Sequence, residues 1–288
     1  LRSQTATSRC ATSASSWSNR ALRCCQNLRS IRFFIRWQKP AAKTQSRLFS
    51  PAPAAILSCV YEGTLLPIEK GLEVEAKHFA TLVTGPVARN LIRTMFVNKG
   101  NADKLSVRPA DVPKSKVTKL GVLGAGMMGA GVAYVSAMAG MEVILIDSTA
   151  EQAAKGKAYS AKLLAKDVEK GRRTREQADA VLARIKPTVD YAQLEGADLV
   201  IEAVFEHRGI KADVTAKAEA VMPKTSVFAS NTSTLPITGL AKASKRPKNF
   251  IGIHFFSPVD RMELLEIISG KETSKECLAR SLDFAKKL

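Results

Sequence analysis

Residues 119–129, KLGVLGAGMMG, decide the fold of this chain. The apolar residues of Lys119–Leu123 predict a short buried strand, and the glycine-rich remainder predicts a tight turn that opens a helix. The turn has the spacing Gly-x-Gly-x-x-Gly, which by itself is a weak signal because glycines also cluster in unrelated turns. Its position directly after a strand and before a helix is the context in which this spacing binds a dinucleotide.

Each glycine of the turn has a separate physical task. Gly124 permits the tight bend, Gly126 lets a pyrophosphate approach the backbone, and Gly129 lets the helix pack closely against the strand. The helix then begins near Met127 and Met128, where free backbone N–H groups and the positive end of the helix dipole favour a phosphate. These five residues are predicted to bind the cofactor.

The next strand, Glu142–Asp147, ends in an acid. The dinucleotide fingerprint has an acid at this place, about 20 residues after the glycine turn. Asp147 is expected to accept hydrogen bonds from both ribose hydroxyls and to repel a 2′-phosphate. No Arg immediately follows it, so the predicted cofactor is NAD rather than NADP. The alternative is a glycine-rich turn in an unrelated α/β protein, with Asp147 serving as the N-cap of a helix.

Short apolar segments alternate with helical patterns after Val117. The predicted strands are Lys119–Leu123, Glu142–Asp147, Asp198–Val204, Ser226–Ala229, Phe250–Phe255 and Glu263–Ile268. The predicted helices between them are Met127–Ala139, Glu151–Glu169, Thr174–Ile185, Lys211–Val221 and Ile237–Ala243. Buried strands separated by helices predict an α/β fold of the Rossmann type, in which a mostly parallel sheet is covered by helices on both faces.

A helical region and a linker are predicted before this sheet. Residues 66–98 carry apolar side chains at helical spacing, and the Gly-Pro pair at 85–86 divides them into two helices. A polar linker with two prolines is predicted over residues 98–116. The uncharged stretch Leu120–Met141 is long enough to cross a bilayer, but its repeated glycines argue against a transmembrane helix, so no membrane-spanning segment is expected.

Length and charge divide the chain further. The 288 residues suggest about two domains, and a hydrophobic content of 45% is enough for a buried core. The net charge of +18 is concentrated in residues 1–50, which hold 10 Lys and Arg residues and no Asp or Glu. This composition fits a mitochondrial transit peptide, a disordered arm that binds nucleic acid or membranes, or a segment that is not native.

The five cysteines include no Cys-x-x-Cys pair, so neither a metal site nor a disulfide framework is predicted.

Three histidines are the candidates for proton transfer at neutral pH. His78 lies in the leading helical region and His207 at the mouth of a strand, so a surface or packing role is expected for both. His254 lies in an apolar run, at the end of a predicted strand. It is therefore either a histidine packed in the core or a general base. Glu266, on the following strand, is the candidate partner that would orient its ring.

A polar run, SNTST at residues 230–234, follows another predicted strand. Because the carboxyl ends of parallel strands meet at one edge of a sheet, these hydroxyl and amide groups are expected near the cofactor turn. They are candidates for hydrogen bonds to a substrate oxygen or to the cofactor. The alternative, that they cap the helix beginning after Leu235, stays open.

Four segments together resemble the NAD-binding domain of L-3-hydroxyacyl-CoA dehydrogenase. They are GAGMMGAG, ADLVIEAVFE, FASNTSTLPI and HFFSPVDRMELLEII. The chain is more closely similar to the multifunctional enzymes of fatty-acid β-oxidation, which join an enoyl-CoA hydratase domain to this dehydrogenase. The resemblance, from about Ala52 to Leu288, implies a helical remnant of the hydratase end and linker at 52–116 and the dehydrogenase domain at 117–288. The basic head at 1–51, disordered or non-native, precedes them.

The resemblance also implies roles for individual residues. His254 matches the catalytic base, Glu266 the carboxylate paired with it, and Ser233 the serine that binds the substrate's 3-oxygen. Four further residues match positions at or beside the cofactor: Ala203, Glu206, Lys211 and Asn231. The implied reaction is NAD-dependent oxidation of an L-3-hydroxyacyl-CoA to a 3-ketoacyl-CoA, in which the histidine takes the hydroxyl proton while hydride passes to NAD.

Some features of the family have no match. Ser257 stands where many members have Asn. The chain as given ends before the helical domain that closes the substrate cleft and makes the dimer in the family. The catalytic carboxylates of the hydratase are not matched either. An NAD-binding fragment without turnover and a related hydroxy-acid dehydrogenase therefore stay open as alternatives.

The implied partners are an acyl-CoA substrate and, for the full-length parent, a second copy or a thiolase-containing complex, with no specific nucleic acid. The expected location is the cytoplasm, with the mitochondrial matrix as the alternative.

Overall fold

The computed structural model describes residues 50–288, and the predictions made for the basic head fall on residues 1–49, outside this part. The described chain divides into two compact units, of which the first ends at Lys104 and the second runs from Leu105 to Leu288. Over residues 50–288, no helix is both long enough and apolar enough to cross a membrane. The rejected transmembrane candidate instead forms a strand, a turn and a helix.

The first unit is a series of consecutive helices. They are α1 (Ala52–Gly63), α2 (Ile68–Val83), α3 (Pro86–Ile92), a π-helical segment (Arg93–Asn98) and α4 (Lys99–Asp103). The Gly-Pro pair separates α2 from α3 as predicted, because a proline in the first turn of a helix removes only an N–H that has no helical partner there. The helix continues past Asn98, so the predicted linker begins later than expected.

The second unit is built on one seven-stranded sheet. Its strands are β1 (Lys119–Leu123), β2 (Glu142–Ile146), β3 (Ile185–Thr188), β4 (Leu199–Glu202), β5 (Val227–Ser230), β6 (Phe250–Phe255) and β7 (Leu265–Ser269). Their order is β3-β2-β1-β4-β5-β6-β7, and only β6 and β7 pair antiparallel. The predicted Rossmann-type fold is confirmed. The strand order reverses between β1 and β4, which is where open α/β sheets bind their ligands.

Helices cover both faces of this sheet. They are α5 (Met127–Met138), α6 (Ala150–Glu169), α7 (Arg175–Ala183), α8 (Arg208–Val221), α9 (Ile237–Leu240) and α10 (Lys275–Lys287). Alternate residues of each strand point to opposite faces. Leu120 and Val122 of β1 accordingly join the core beneath α5, α6, α7 and α10, whereas Leu123 joins the core beneath α8 and α9.

The structure differs most from the predicted elements near Ile185. The predicted helix Thr174–Ile185 ends at Ala183, and the residues after it form β3 parallel to β2. Pro187 hides this strand in the sequence, because proline cannot donate to a sheet ladder; β3 tolerates it as an edge strand. The helix α10 is also absent from the predicted elements, although Ser274 caps it by accepting from a backbone N–H.

One arginine fastens the linker before β1 to the last helix. Arg108 donates from Nε to Asp283 Oδ1 at 2.7 Å and from Nη2 to Asp283 Oδ2 at 2.9 Å, and its Nη1 donates to two carbonyls of the linker. Ser115 donates both its N–H and its hydroxyl to the same carboxylate. The second unit therefore begins at Leu105, earlier than the predicted boundary at Val117.

We expect Asp283→Asn to lower Tm by at least about 3 °C, because Arg108, whose side chain is 12% exposed, loses its charged partner. Partial burial favours the protonated carboxyl, but the hydrogen bonds from Arg108 and Ser115 prevail and hold the pKa of Asp283 below 3.8. This stabilisation is complete above pH 3.8 and is lost as the pH falls through the folded-state pKa. Thermal unfolding at several pH values measures it. Asp111→Asn, which affects only an exposed pair with Lys275, is the control, and equal Tm values for the two variants at neutral pH would contradict the prediction.

Candidate active site

The glycine turn after β1 leaves no room for side chains at two positions. Gly124 has φ +94°, and a Cβ there would lie 2.7 Å from the carbonyl oxygen of Ala203 after β4. A Cβ on Gly129 would lie 1.7 Å from the carbonyl oxygen of Gly124. Both positions require glycine on steric grounds alone, and the absence of side chains there lets α5 lie directly against the end of β1.

Gly126 is different, because the protein itself does not require a glycine there. A Cβ at this position would meet no described atom within 4 Å, and its φ of −64° suits any residue. Gly126 is the N-cap of α5 and has no side chain with which to cap the helix. α5 therefore begins without a side-chain cap, and the free N–H groups of Met127 and Met128 favour the binding of an anion at this helix end.

Asp147 contacts this turn directly. Its Oδ2 accepts from the N–H of Ala125 at 2.6 Å, and its Oδ1 accepts from the N–H of Ser148 at 2.6 Å. The N-cap of the following helix is Thr149, whose hydroxyl accepts from the Gln152 N–H. The alternative interpretation of Asp147 as a helix N-cap is therefore wrong, and its carboxylate instead joins the end of β2 to the glycine turn.

A cleft of about 880 Å³ opens beside the turn. Six predicted cofactor residues line it: Gly124, Gly126, Met127, Met128, Asp147 and Ala203. The sequence patterns missed a second group of lining residues, which follow β3 or share one face of α8: Val189, Tyr191, Ile210, Asp213, Val214 and Lys217. Their helical spacing on α8 was a usable signal, but the predicted helix began only at Lys211. The other four predicted cofactor residues lie outside the lining of this cleft: Gly129, Glu206, Lys211 and Asn231.

His254 and Glu266 face each other across the two antiparallel strands. The register of β6 and β7 pairs them directly, and His254 Nδ1 lies 2.8 Å from Glu266 Oε2. Because a carboxylate can only accept, this contact assigns the proton of a neutral ring to Nδ1 and leaves Nε2 as an acceptor. The histidine side chain is 17% exposed, so it is not enclosed in the core. His78, by contrast, lies in the first unit, 3.8 Å from Glu62.

A buried charged cluster lies between β4, β5 and α8. Lys211 Nζ lies 3.0 Å from both carboxylate oxygens of Glu202 and 3.1 Å from Glu206 Oε2. Glu202 ends β4, and it also accepts from the hydroxyl of Ser230, which ends β5 in the same register. The side chains of Lys211 and Glu202 are only 3% and 1% exposed. Glu202 was not predicted, although an acid at the end of an apolar strand was a visible signal.

Glu206 connects this cluster to the polar run after β5. Its Oε1 accepts from the hydroxyl of Thr232 and from the N–H groups of Ser233 and Thr234, at 3.1 and 3.3 Å. Partial burial by itself would raise the pKa of Glu206, but the hydrogen bonds from Thr232 and Lys211 and the ammonium charge outweigh it and bring the pKa down to about 2. Burial raises the pKa of Glu202 despite Lys211.

The polar run is joined to the strand that carries His254. Asn231 Oδ1 accepts from the N–H of Phe255 at 2.8 Å, and the Asn231 N–H donates to the carbonyl of Glu202 at 2.9 Å. Thr232 accepts from the N–H of Leu235, but the N-cap of α9 is Pro236 and no side chain caps that helix, so the capping alternative is wrong for this run. Ser233 is exposed, with its backbone held by Glu206.

Comparison with known proteins identifies the family to which the second unit belongs. The model of the family "3-hydroxyacyl-CoA dehydrogenase, NAD binding domain" matches residues 119–288. The chain belongs to this family. Its cofactor is NAD, and the residues present fit that cofactor: Gly126 leaves its side-chain space open, α5 begins uncapped at the cleft, and Asp147 ends β2 beside them.

Two curated relatives are named fatty acid oxidation complex subunit alpha. The protein of Psychrobacter arcticus is 38% identical over 238 residues, which cover 83% of this chain and 33% of the relative. That of Shewanella amazonensis is 38% identical over 260 residues, which cover 90% of this chain and 36% of the relative. The chain therefore spans about a third of the length of these relatives. Among solved structures, an (S)-3-hydroxybutyryl-CoA dehydrogenase from Ralstonia eutropha matches with TM-score 0.58 and 35% identity, covering 60% of this chain and 61% of that one.

Gly126→Ala and Gly129→Ala should separate binding from stability. We expect Gly129→Ala to lower the free energy of unfolding by at least about 2 kcal/mol, because the new methyl group overlaps the Gly124 carbonyl. Gly126→Ala should change that free energy by less than about 0.5 kcal/mol, but weaken NADH binding at least about tenfold by blocking the phosphate approach. Urea unfolding and a fluorescence titration with NADH measure the two effects. Unchanged NADH affinity in Gly126→Ala would contradict the assignment of the cleft.

Proposed function

We propose that this chain carries the dehydrogenase step of fatty-acid β-oxidation, the NAD-dependent oxidation of an L-3-hydroxyacyl-CoA to a 3-ketoacyl-CoA. The observation that carries the proposal is the pairing of His254 with Glu266 at the sheet edge. It is supported by the family of the chain and by the printed names of its relatives.

His254 is the proposed general base. With Nδ1 engaged by Glu266, Nε2 is the atom available to take the proton of the substrate's 3-hydroxyl. Glu266 orients the ring and stabilises the positive charge that the ring acquires with the proton. When bound, NAD⁺ supplies the acceptor for the hydride that leaves C3. The hydroxyl oxygen becomes the keto oxygen, so one proton and one hydride leave the substrate.

Ser233 is the proposed partner of the substrate's 3-oxygen, and its exposed position after β5 suits a contact with a ligand. Gly124, Gly126, Met127 and Met128 bind the pyrophosphate region in this proposal, and Gly129 lets α5 pack closely enough to present its first N–H groups there. Four further residues bind the ribose and the rest of the cofactor in this proposal: Asp147, Ala203, Glu206 and Asn231. Lys211 belongs to this group by resemblance, although its ammonium is buried against two carboxylates.

The whole protein is proposed to act within a larger assembly. The relatives' name, complex subunit alpha, favours a homodimer or a complex with a thiolase. Both relatives are bacterial, which favours the cytoplasm as the place of the reaction. A second candidate function is NAD binding without turnover, which is favoured by the lining of the cofactor cleft, because neither His254 nor Glu266 belongs to it.

His254→Gln should remove the general base and leave cofactor binding intact. We expect kcat to fall about 10²- to 10⁴-fold, the usual contribution of a positioned base, while the Kd for NADH changes less than about twofold. Oxidation of NADH with acetoacetyl-CoA as the acceptor measures the rate. His78→Gln, in the first unit, is the matched control and should retain the wild-type rate. A His254→Gln rate within a few-fold of the wild type would refute the assignment.

Glu266→Gln should impair the same step to a smaller extent. An amide in place of the carboxylate keeps the side-chain size but no longer stabilises a protonated ring, so we expect kcat to fall at least about tenfold. Glu263→Gln, an exposed acid before β7, provides the comparison in the same assay. If the two variants have the same kcat, Glu266 is not the orienting carboxylate.

A further inference from the structure

The loop between β6 and β7, residues 256–264, joins the proposed base to its carboxylate partner. His254 lies just before this loop and Glu266 just after it. The loop also contributes a side chain to the site, because the ring of Phe256 contacts the ring of His254, with 4.7 Å between the two centroids. The position of the loop therefore affects the geometry of both groups.

The middle of this loop packs against α5, the helix that begins at the cofactor cleft. Val259 is buried, and a Cβ on Gly131 would lie 2.8 Å from the Cβ of Val259. The helix therefore has room for this valine only because residue 131 has no side chain. The N–H groups of Arg261 and Met262 both donate to the carbonyl of Pro258, at 3.0 and 3.1 Å. The loop is thus a hydrogen-bonded turn that lies directly on α5.

One side-chain hydrogen bond connects the same turn to α6. The hydroxyl of Tyr159 donates to Asp260 Oδ1 at 2.9 Å. The Asp260 side chain is only 14% exposed, and its ion pair with the exposed Arg261 is long, at 3.8 Å. Burial and the neighbouring carboxylate raise the pKa of Tyr159 above its usual range, so the hydroxyl keeps its proton and remains the donor. Loss of this donor would leave a largely buried carboxylate oxygen unsatisfied, which is costly.

The helix α6 also packs against the glycine turn of the cofactor cleft. Gly156 precedes Tyr159 by one helical turn, so the two residues lie on the same face of α6. A Cβ on Gly156 would lie 2.7 Å from the Cβ of Ala125 and 2.9 Å from its carbonyl oxygen. Ala125 belongs to the glycine turn, and its N–H donates to Asp147. One face of α6 therefore contacts the cofactor turn at Gly156 and the β6–β7 loop at Tyr159.

This connection matters because the sheet separates the two parts of the site. The strand β1, which leads into the cofactor turn, and the strand β6, which carries His254, are separated by β4 and β5. The proposed reaction requires the base and the cofactor to act on the same carbon atom of the substrate. A displacement of about 1 Å, caused by a change far from the chemistry, can lower a rate about 100-fold. A direct brace between the two parts would limit such a displacement.

We infer that Tyr159 and Asp260 are positioning residues, which hold the β6–β7 loop so that His254 and Glu266 keep their place relative to the cofactor turn. This inference rests on the proposed function for the reaction that it serves, but the fastening of the loop does not depend on that function. Tyr159 acts through Asp260 and the loop, and neither residue belongs to the lining of the cofactor cleft.

Tyr159→Phe tests the inference because it removes the hydroxyl group and keeps the ring. We expect the amides of Arg261 and Met262 to exchange hydrogen at least about tenfold faster in the cofactor-free chain. We also expect kcat for the oxidation of NADH by acetoacetyl-CoA to fall at least about tenfold, while the Kd for NADH changes less than about twofold. Tyr61→Phe, the same substitution in the first unit, is the matched control and should leave all three quantities unchanged.

Variants of Asp260 separate positioning from a general loss of stability. Asp260→Asn keeps an oxygen that can accept from Tyr159, so its kcat should stay within about threefold of the wild-type value. Asp260→Ala has no acceptor, so its kcat should fall at least about tenfold. Because the two residues act as a pair, the double variant Tyr159→Phe with Asp260→Ala should keep at least about half the kcat of the slower single variant.

The outcomes separate the inference from the proposed function. Unchanged amide exchange in Tyr159→Phe, or a wild-type kcat in that variant, would overturn the inference. Equal losses of kcat in Asp260→Asn and Asp260→Ala would also overturn it, because the acceptor oxygen would then have no effect.

If the wild-type chain shows no oxidation of NADH by acetoacetyl-CoA, the proposed function fails. The inference is then decided without turnover, by the rate at which the Nδ1 proton of His254 exchanges with solvent in an NMR measurement. Faster exchange of this proton in both Tyr159→Phe and Asp260→Ala supports the inference, and an unchanged rate overturns it.

Discussion

The close contact between Gly129 and the carbonyl of Gly124 is the constraint on which the site depends. The absence of a side chain at Gly129 lets α5 lie directly against the end of β1, and the absence of one at Gly124 lets the turn lie against Ala203, the residue after the neighbouring strand β4. The strand order reverses at this point, so the segments that follow β1 and β4 turn to opposite faces of the sheet and leave a cleft between them. Every group of the candidate site lies at the carboxyl ends of strands in this sheet or on residues that follow them, apart from Glu266, which lies on the antiparallel strand β7.

The sheet was predictable from the sequence where its strands are apolar and bounded by glycine or by polar residues. β1 and β6 match their predicted bounds, and most others differ by one or two residues at an end. β3 was not predictable in the same way, because an edge strand of four residues with a proline has no apolar pattern of its own. It exists because β2 offers it an unpaired edge, which is a property of the tertiary structure.

The site was predictable to the extent that its residues follow strand ends. The glycine turn and Asp147 are recognisable from spacing, and the pairing of His254 with Glu266 follows once β6 and β7 are known to be antiparallel neighbours. Glu202 was visible in the sequence as an acid at the end of an apolar strand, but its ion pair was not predictable, because a strand end does not indicate which lysine will neutralise the acid. Lys211 reaches it only because α8 packs over that end of the sheet.

The carboxyl ends of the strands in one sheet carry both the cofactor cleft and the proposed base for oxidation of a hydroxyacyl thioester. The most direct test is to mix the wild-type chain with NADH and to measure NADH oxidation with and without acetoacetyl-CoA. We expect oxidation that requires acetoacetyl-CoA and saturates with it. Tight NADH binding without any oxidation that depends on acetoacetyl-CoA would contradict the claim and favour a cofactor-binding domain without turnover of its own.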